Sequence, residues 1–156
     1  MADVVIRIID VYAFRRGEAG AQFLMLKRAG GGQLGGTWQA VHGKIEAGET
    51  ATAAALRELA EETGLRPVRF WQLEHVNTFF DAARDAVHLC PGFAAEIAPD
   101  AEVRLNDEHV AHEWLSAAAT AERMMWPGQR AALREILDVI LAGHSAEPHL
   151  RIAVER

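Results

Sequence analysis

The 156-residue chain contains a single cysteine, Cys90, and so can form neither an internal disulfide nor the multi-thiolate cage of a structural zinc site. Cys90 reads instead as a small core hydrophobe. Positive charge is also scarce: the net charge of −6 excludes a nucleic-acid groove held by a basic surface, so no nucleic-acid partner is expected. No apolar run approaches the roughly 20 residues that span a bilayer, and no basic-apolar-small order marks a secretion signal. A soluble, cytoplasmic protein without a membrane partner is the expectation. A phosphate-binding loop of the Gly-x4-Gly-Lys-[Ser/Thr] type is missing, because Gly43-Lys44 lacks the upstream glycine and is followed by Ile45. No repeat or low-complexity tract interrupts the chain.

Half of the residues are hydrophobic and 24% are charged, enough apolar material for one globular domain. Residues 1–143 are expected to form it, with 144–156 as a tail whose Leu150 to Val154 adds a strand or packs on a neighbour. Val4 to Phe14 reads as a strand, Arg15 to Gly20 as a polar turn, and Gln22 to Lys27 as the second arm of a hairpin. Ala29 to Gly36 holds five glycines and reads as a loop. Trp38 to Val41, Val68 to Phe80, Val87 to Ile97 and Glu113 to Leu115 read as strands, with Pro91-Gly92 implying a bulge or an edge position. Ser116 to Met124 reads as a brief helix. Pro127 opens another, to about Leu141, whose Leu133, Ile136, Leu137, Ile140 and Leu141 form a core stripe.

The densest signal lies between Gly43 and Leu65. Thr50 to Thr63 is built from strong helix formers, and Gly64 stands where a left-handed cap is wanted. On that helix Glu58, Glu61 and Glu62 stand at i, i+3 and i+4, so their carboxylates emerge within one turn and repel. A solvated acidic face is the plain explanation of such a run taken alone. Hard divalent cations, which take oxygen ligands and bridge to phosphate, give the cost a purpose. The fixed spacing of Gly43, Glu49, Arg57 and Gly64 around the three glutamates favours that second explanation.

With Leu59 and Leu65 these make nine positions that resemble a complete Nudix box, Gly-x5-Glu-x7-Arg-Glu-U-x-Glu-Glu-x-Gly-U, with U aliphatic. The resemblance implies an α/β fold, an α/β/α sandwich with a mixed sheet and a loop-helix-loop catalytic motif. It also implies hydrolysis of a nucleoside diphosphate joined to another group. It assigns Glu58 and Glu62 as metal ligands, Glu61 as a further ligand or proton acceptor, and the carbonyl of His42 as an additional ligand. Arg57 and Glu49 would pair to hold the loop against the helix, and Gly43 and Gly64 would serve backbone geometry. The implied cofactor is Mg²⁺, with Mn²⁺ as a substitute. The implied partner is a small nucleotide-like substrate, and a homodimer is compatible with the family.

Beyond the box, Trp38 to Val41, Glu108-His109 through Trp114 to Ala117, and Trp126 with Arg130 are similar to bacterial dihydroneopterin triphosphate (dATP) pyrophosphohydrolases. In that group Glu108 would supply a ligand from a second loop, although His42 stands where the group has a small hydroxyl residue. Arg28 is a candidate for phosphate contact, His42 for substrate contact, and Trp38, Phe79 and Phe80 for stacking on a base. The stretch Thr78 to Ala83 lacks the proline of ADP-ribose-type members and the tyrosine of dinucleoside polyphosphate-type members. The expected reaction is release of a monophosphate and pyrophosphate from dATP or a dihydroneopterin triphosphate-like substrate. Rivals are hydrolysis of a nucleotide sugar or an oxidised nucleotide, and a sensor that binds without cleaving. A zinc site at His109, His112 and Glu113 is the weaker metal reading, since His-x-x-His alone says little.

Overall fold

The structure is a computed structural model that describes residues 1–155. Strands β2 (Ile8–Gly17) and β3 (Gly20–Arg28) form a hairpin with Phe14 opposite Phe23 and Gly17 opposite Gly20. Only Glu18 and Ala19 lie outside the ladder, so the turn is tighter than the expected Arg15 to Gly20. Arg15 and Arg16 stay in the strand because each has a partner there: Arg15 Nε donates to Gln22 at 2.9 Å and Arg16 Nε to Glu96 at 2.9 Å. Gly20, at φ +113°, closes a turn that side chains disfavour. The strand expected from Val4 is broken at Ile6-Arg7, and β1 (Asp3–Val5) leaves β2 to pair in parallel with β7 (Ala86–Glu96).

Strand β7 is interior, not at an edge. It pairs antiparallel with β6 (Arg69–Asp81), and on its other side with β1 up to His88 and with β2 from Gly92. Pro91, which has no N–H to donate, sits where β7 passes from one neighbour to the other. The expected bulge lies opposite, on β6 between Gln72 and Val76. The amides it frees, those of Glu74 and His75, each donate to the Glu135 carboxylate at 2.8 Å. Three further strands are β4 (Trp38–Gln39), β5 (Val41–Lys44) and β8 (His109–Ser116), the last longer than expected and paired along β3.

Helices cover both faces of this mixed sheet, giving the α/β/α sandwich. Helix α1 (Ala51–Thr63) starts at Thr50, whose hydroxyl accepts from the Ala53 amide at 3.1 Å, and stops at Gly64 in the left-handed conformation, φ 71°. It buries Ala54, Ala55 and Leu59 against Ile9, Val11 and Val41. Opposite lie α2 (Ala117–Arg123) and α3 (Pro127–Glu135), whose last turns widen into a π-helical segment, Ile136–Leu141. Leu133, Ile136 and Ile140 are buried against Tyr12, Phe14 and Trp71, while Leu137 and Leu141 are partly buried. Each large aliphatic side chain buried this way contributes about 1.5–3 kcal/mol before cavity and strain effects. At the C-terminus, α4 (Glu147–Leu150) places Glu147 to accept from Trp71 Nε1 at 2.8 Å, and β9 (Arg151–Ile152) pairs with β6. No described helix is long and apolar enough to cross a membrane.

Candidate active site

Arg57 organises the loop that joins β5 to α1. Its guanidinium donates through Nε and Nη2 to both oxygens of Glu49, at 2.8 and 2.9 Å, and through Nη2 to the Lys44 carbonyl at 2.8 Å. This fork is the planar geometry that a lysine could not reproduce. Hydrogen bonds from Arg57 and from the Glu46 amide hold the Glu49 carboxyl down at about 2. The same guanidinium reaches Glu58 at 2.9 Å and Glu61 at 3.1 Å through Nη1. Gly43 is needed for a local reason: a Cβ there would lie 2.1 Å from Glu58 Cδ. The glycine lets the Glu58 side chain lie across β5.

Glu62 is the most unusual group. It is 1% exposed, and its Oε2 has no hydrogen-bond partner. Burial raises its carboxyl to about 9, and the charges of Glu58 and Glu108 push the same way, against the His42 backbone and Arg28. Burial also raises Glu58, opposed by the Arg57 hydrogen bond. Glu108 arrives from the loop before β8, where its amide donates to Asn106 Oδ1 at 3.2 Å and its carbonyl accepts from Ala29 at 2.9 Å. The pairing of Arg28 with His109 across β3 and β8 sets this loop beside α1. Glu62, Glu108 and His109 each offer a ligand atom, all within 4.8 Å of one another. Glu61 is not in this group; it is more exposed and tied to Arg57.

His42 stands on β5 opposite Asp10 of β2, and its Nδ1 donates to Asp10 Oδ1 at 2.6 Å. Burial works against the charged imidazole, but the hydrogen bond and charge of Asp10 outweigh it and raise His42 above the ordinary histidine range. The other Asp10 oxygen accepts from Cys90 at 3.5 Å, and burial pushes that thiol up. Arg28 carries its charge close enough to oppose protonation of both His42 and His109. Trp38 is covered by Arg123, 4.5 Å above its ring, and packs on the Tyr12 and Met124 side of the core. Phe79 is 42% exposed and lies flat on His88, with centroids 4.8 Å apart.

Asp10, Gln39 and His109 were not singled out for this centre. Asp10 reads as one polar residue in an apolar strand, and that break in the pattern is the only local signal it leaves. His109 is buried and its ring nitrogen gathers with Glu62 and Glu108, whereas His112, past the irregularity at the start of β8, is exposed and not in that group, so the His-x-x-His pattern does not converge.

The donor set suits a hard dication. Three carboxylates converge with Arg57 and Arg28 as the nearby cations, and a buried carboxylate oxygen without a partner is costly until something positive meets it. Glu58, Glu62 and Glu108 are the residues that would hold such an ion.

A family model described as the NUDIX domain matches residues 6–136. An octanoyltransferase of Myxococcus xanthus is 38% identical over 115 residues, 73% of this chain but 32% of that protein, so the chain spans under half of that relative. The asymmetrical bis(5'-nucleosyl)-tetraphosphatase of Rattus norvegicus is 29% identical over 116 residues, 73% of this chain and 77% of that protein. Among solved structures, an Ap4A hydrolase binary complex from C. elegans superposes with a TM-score of 0.72 at 22% identity, covering 89% of this chain and 98% of the other. The E. coli dihydroneopterin triphosphate pyrophosphohydrolase does so at 0.67 and 23%, covering 90% and 99%. At these identities the structural likeness establishes the fold.

Proposed function

The chain belongs to the Nudix family, and from that premise we propose that it is a Mg²⁺-dependent nucleoside triphosphate pyrophosphohydrolase acting on dATP or a dihydroneopterin triphosphate-like substrate. The observation that carries the reading is the buried Glu62 carboxyl, its Oε2 without a hydrogen-bond partner, beside the charges of Glu58 and Glu108. Every carboxylate of the box is present, which favours cleavage over binding alone. When bound, the dication supplies neutralisation of phosphate oxygens and an acidified water.

The chain's own residues then have separate tasks. Arg57 and Glu49 lock the loop to α1, which sets the spacing of Glu58 and Glu62. Arg28 draws phosphate oxygens toward the carboxylates, and His42, held by Asp10, offers its second ring nitrogen to the same groups. The water oxygen bonds to phosphorus in line with the bridging oxygen, whose bond to that phosphorus breaks as pyrophosphate leaves. The proton released goes to a carboxylate, Glu108 beside Glu62 or Glu61 held by Arg57.

A second reading, hydrolysis of a dinucleoside polyphosphate, is supported by the likeness to the rat tetraphosphatase. A panel of dATP, dihydroneopterin triphosphate, an oxidised deoxynucleotide, a nucleotide sugar and diadenosine tetraphosphate, with products resolved as pyrophosphate, phosphate or nucleotide, decides between them. Preferred turnover of the triphosphates with pyrophosphate released supports the proposal. Preferred cleavage of diadenosine tetraphosphate, or binding of every compound without turnover, refutes it.

A further inference from the structure

A buried imidazole lies beside the carboxylate centre. His109 opens β8 directly after Glu108 and is 5% exposed, a burial rarely accepted for a polar ring without a purpose. A ring nitrogen of His109 lies within 4.8 Å of a carboxylate oxygen of Glu62 and of one of Glu108, a separation that one ion can bridge. Two atoms of this group are buried without a hydrogen-bond partner: Oε2 of Glu62 and Nδ1 of His109. The other ring nitrogen is engaged, because Gln39 Nε2 lies 3.2 Å from His109 Nε2.

We propose that His109 is a nitrogen ligand of the metal centre, so that the site prefers Mn²⁺ or Co²⁺ over Mg²⁺. The proposal rests on the reading of Glu58, Glu62 and Glu108 as the metal-holding carboxylates. Imidazole nitrogen suits first-row transition ions, whereas Mg²⁺ takes oxygen and gains little from it. Gln39 has the part that a carbonyl plays behind many ligating histidines. With the carboxamide turned over from its placed orientation, so that Gln39 Oε1 replaces Nε2 beside the ring and accepts from His109 Nε2–H, the lone pair is left on Nδ1, the atom without a partner. The exposed His112 is no part of this arrangement.

The test is metal binding by the full chain, by calorimetry with Mn²⁺, Co²⁺ and Mg²⁺, together with pulsed electron paramagnetic resonance of the Mn²⁺-loaded wild type. The wild type should show nitrogen coupling to Mn²⁺, and His109→Gln should lose it. That variant should bind Mn²⁺ and Co²⁺ at least about tenfold more weakly while its Mg²⁺ affinity changes by less than about threefold. A wild-type Mn²⁺ spectrum without nitrogen coupling overturns the inference and needs no folded variant. So does an equal loss for all three ions, which assigns His109 to holding the loop, or retained coupling in His109→Gln. Glu62→Gln separates the two levels: if it binds Mn²⁺ as tightly as the wild type, the carboxylate centre itself is wrong. If it loses Mn²⁺ while His109→Gln does not, only the histidine's role fails.

Discussion

Replacing Glu62 by Gln separates what this carboxyl costs from what it does. In the folded, metal-free protein the group holds its proton up to about 9, whereas in the unfolded chain it releases it near its ordinary value of 4.5. Between those pH values the unfolded chain binds fewer protons than the native one, so this group's stabilising contribution is full below 4.5 and is lost as pH rises toward 9. The limiting slope is about 1.4 kcal/mol per pH unit. At pH 8 the limit is about 5 kcal/mol. Water entering the metal-free site and movement of Glu58 reduce that to about 1–2 kcal/mol, because real sites are far more polarisable than a dry interior. Glutamine keeps the shape and does not ionise. In EDTA at pH 8 the Glu62→Gln protein should therefore melt about 3–6 °C above the wild type, and the two should coincide near pH 4.5. Saturating Mg²⁺ should stabilise the wild type and leave the variant unmoved, since an ion raises stability only through binding to the native state. Thermal unfolding by circular dichroism from pH 4.5 to 9, with EDTA or Mg²⁺, measures all four cases. A variant that melts below the wild type in EDTA at pH 8, or that gains as much from Mg²⁺, refutes this account of the site. Turnover by the same variant should fall at least about a hundredfold.

Chelation should abolish hydrolysis, with recovery on adding Mg²⁺ or Mn²⁺; full activity in excess EDTA, read by pyrophosphate release, contradicts the metal-dependent mechanism. Glu108→Gln should slow turnover strongly by itself and add little to Glu62→Gln, because groups acting on one centre are non-additive. Steady-state kinetics of both single variants and the double at saturating Mg²⁺ decide this, and a near-wild-type Glu108→Gln rate removes Glu108 from the centre. Gly43→Ala should leave the fold intact but displace the Glu58 side chain that its Cβ would strike. Calorimetry should then show Mg²⁺ affinity lower by about tenfold or more, while unchanged affinity means that Glu58 holds no metal.

The parts of this protein legible in the chain are those whose causes lie within a few residues of one another. Helix α1 has its hydroxyl cap at Thr50, its left-handed stop at Gly64 and a run of helix formers between, so its limits and the shared face of Glu58 and Glu62 follow from local periodicity. The fork between Arg57 and Glu49 was legible only through the resemblance to the Nudix box, which implies that pair. Strand register carries no such local mark. Arg28 meets His109 only because β3 and β8 pair, which brings Glu108 and His109 to the buried end of Glu62. Asp10 meets His42 only through the pairing of β2 with β5. Pro91 announced an irregularity, but its interior position, and the bulge on β6 rather than on its own strand, depended on how β7 shares its neighbours. The same division separates Glu61 from Glu62: adjacent in sequence and alike in chemistry, one is turned toward Arg57 and the other is buried. Helix geometry places both carboxylates within one turn of α1, but the sheet packed against that helix admits only one of them to the interior.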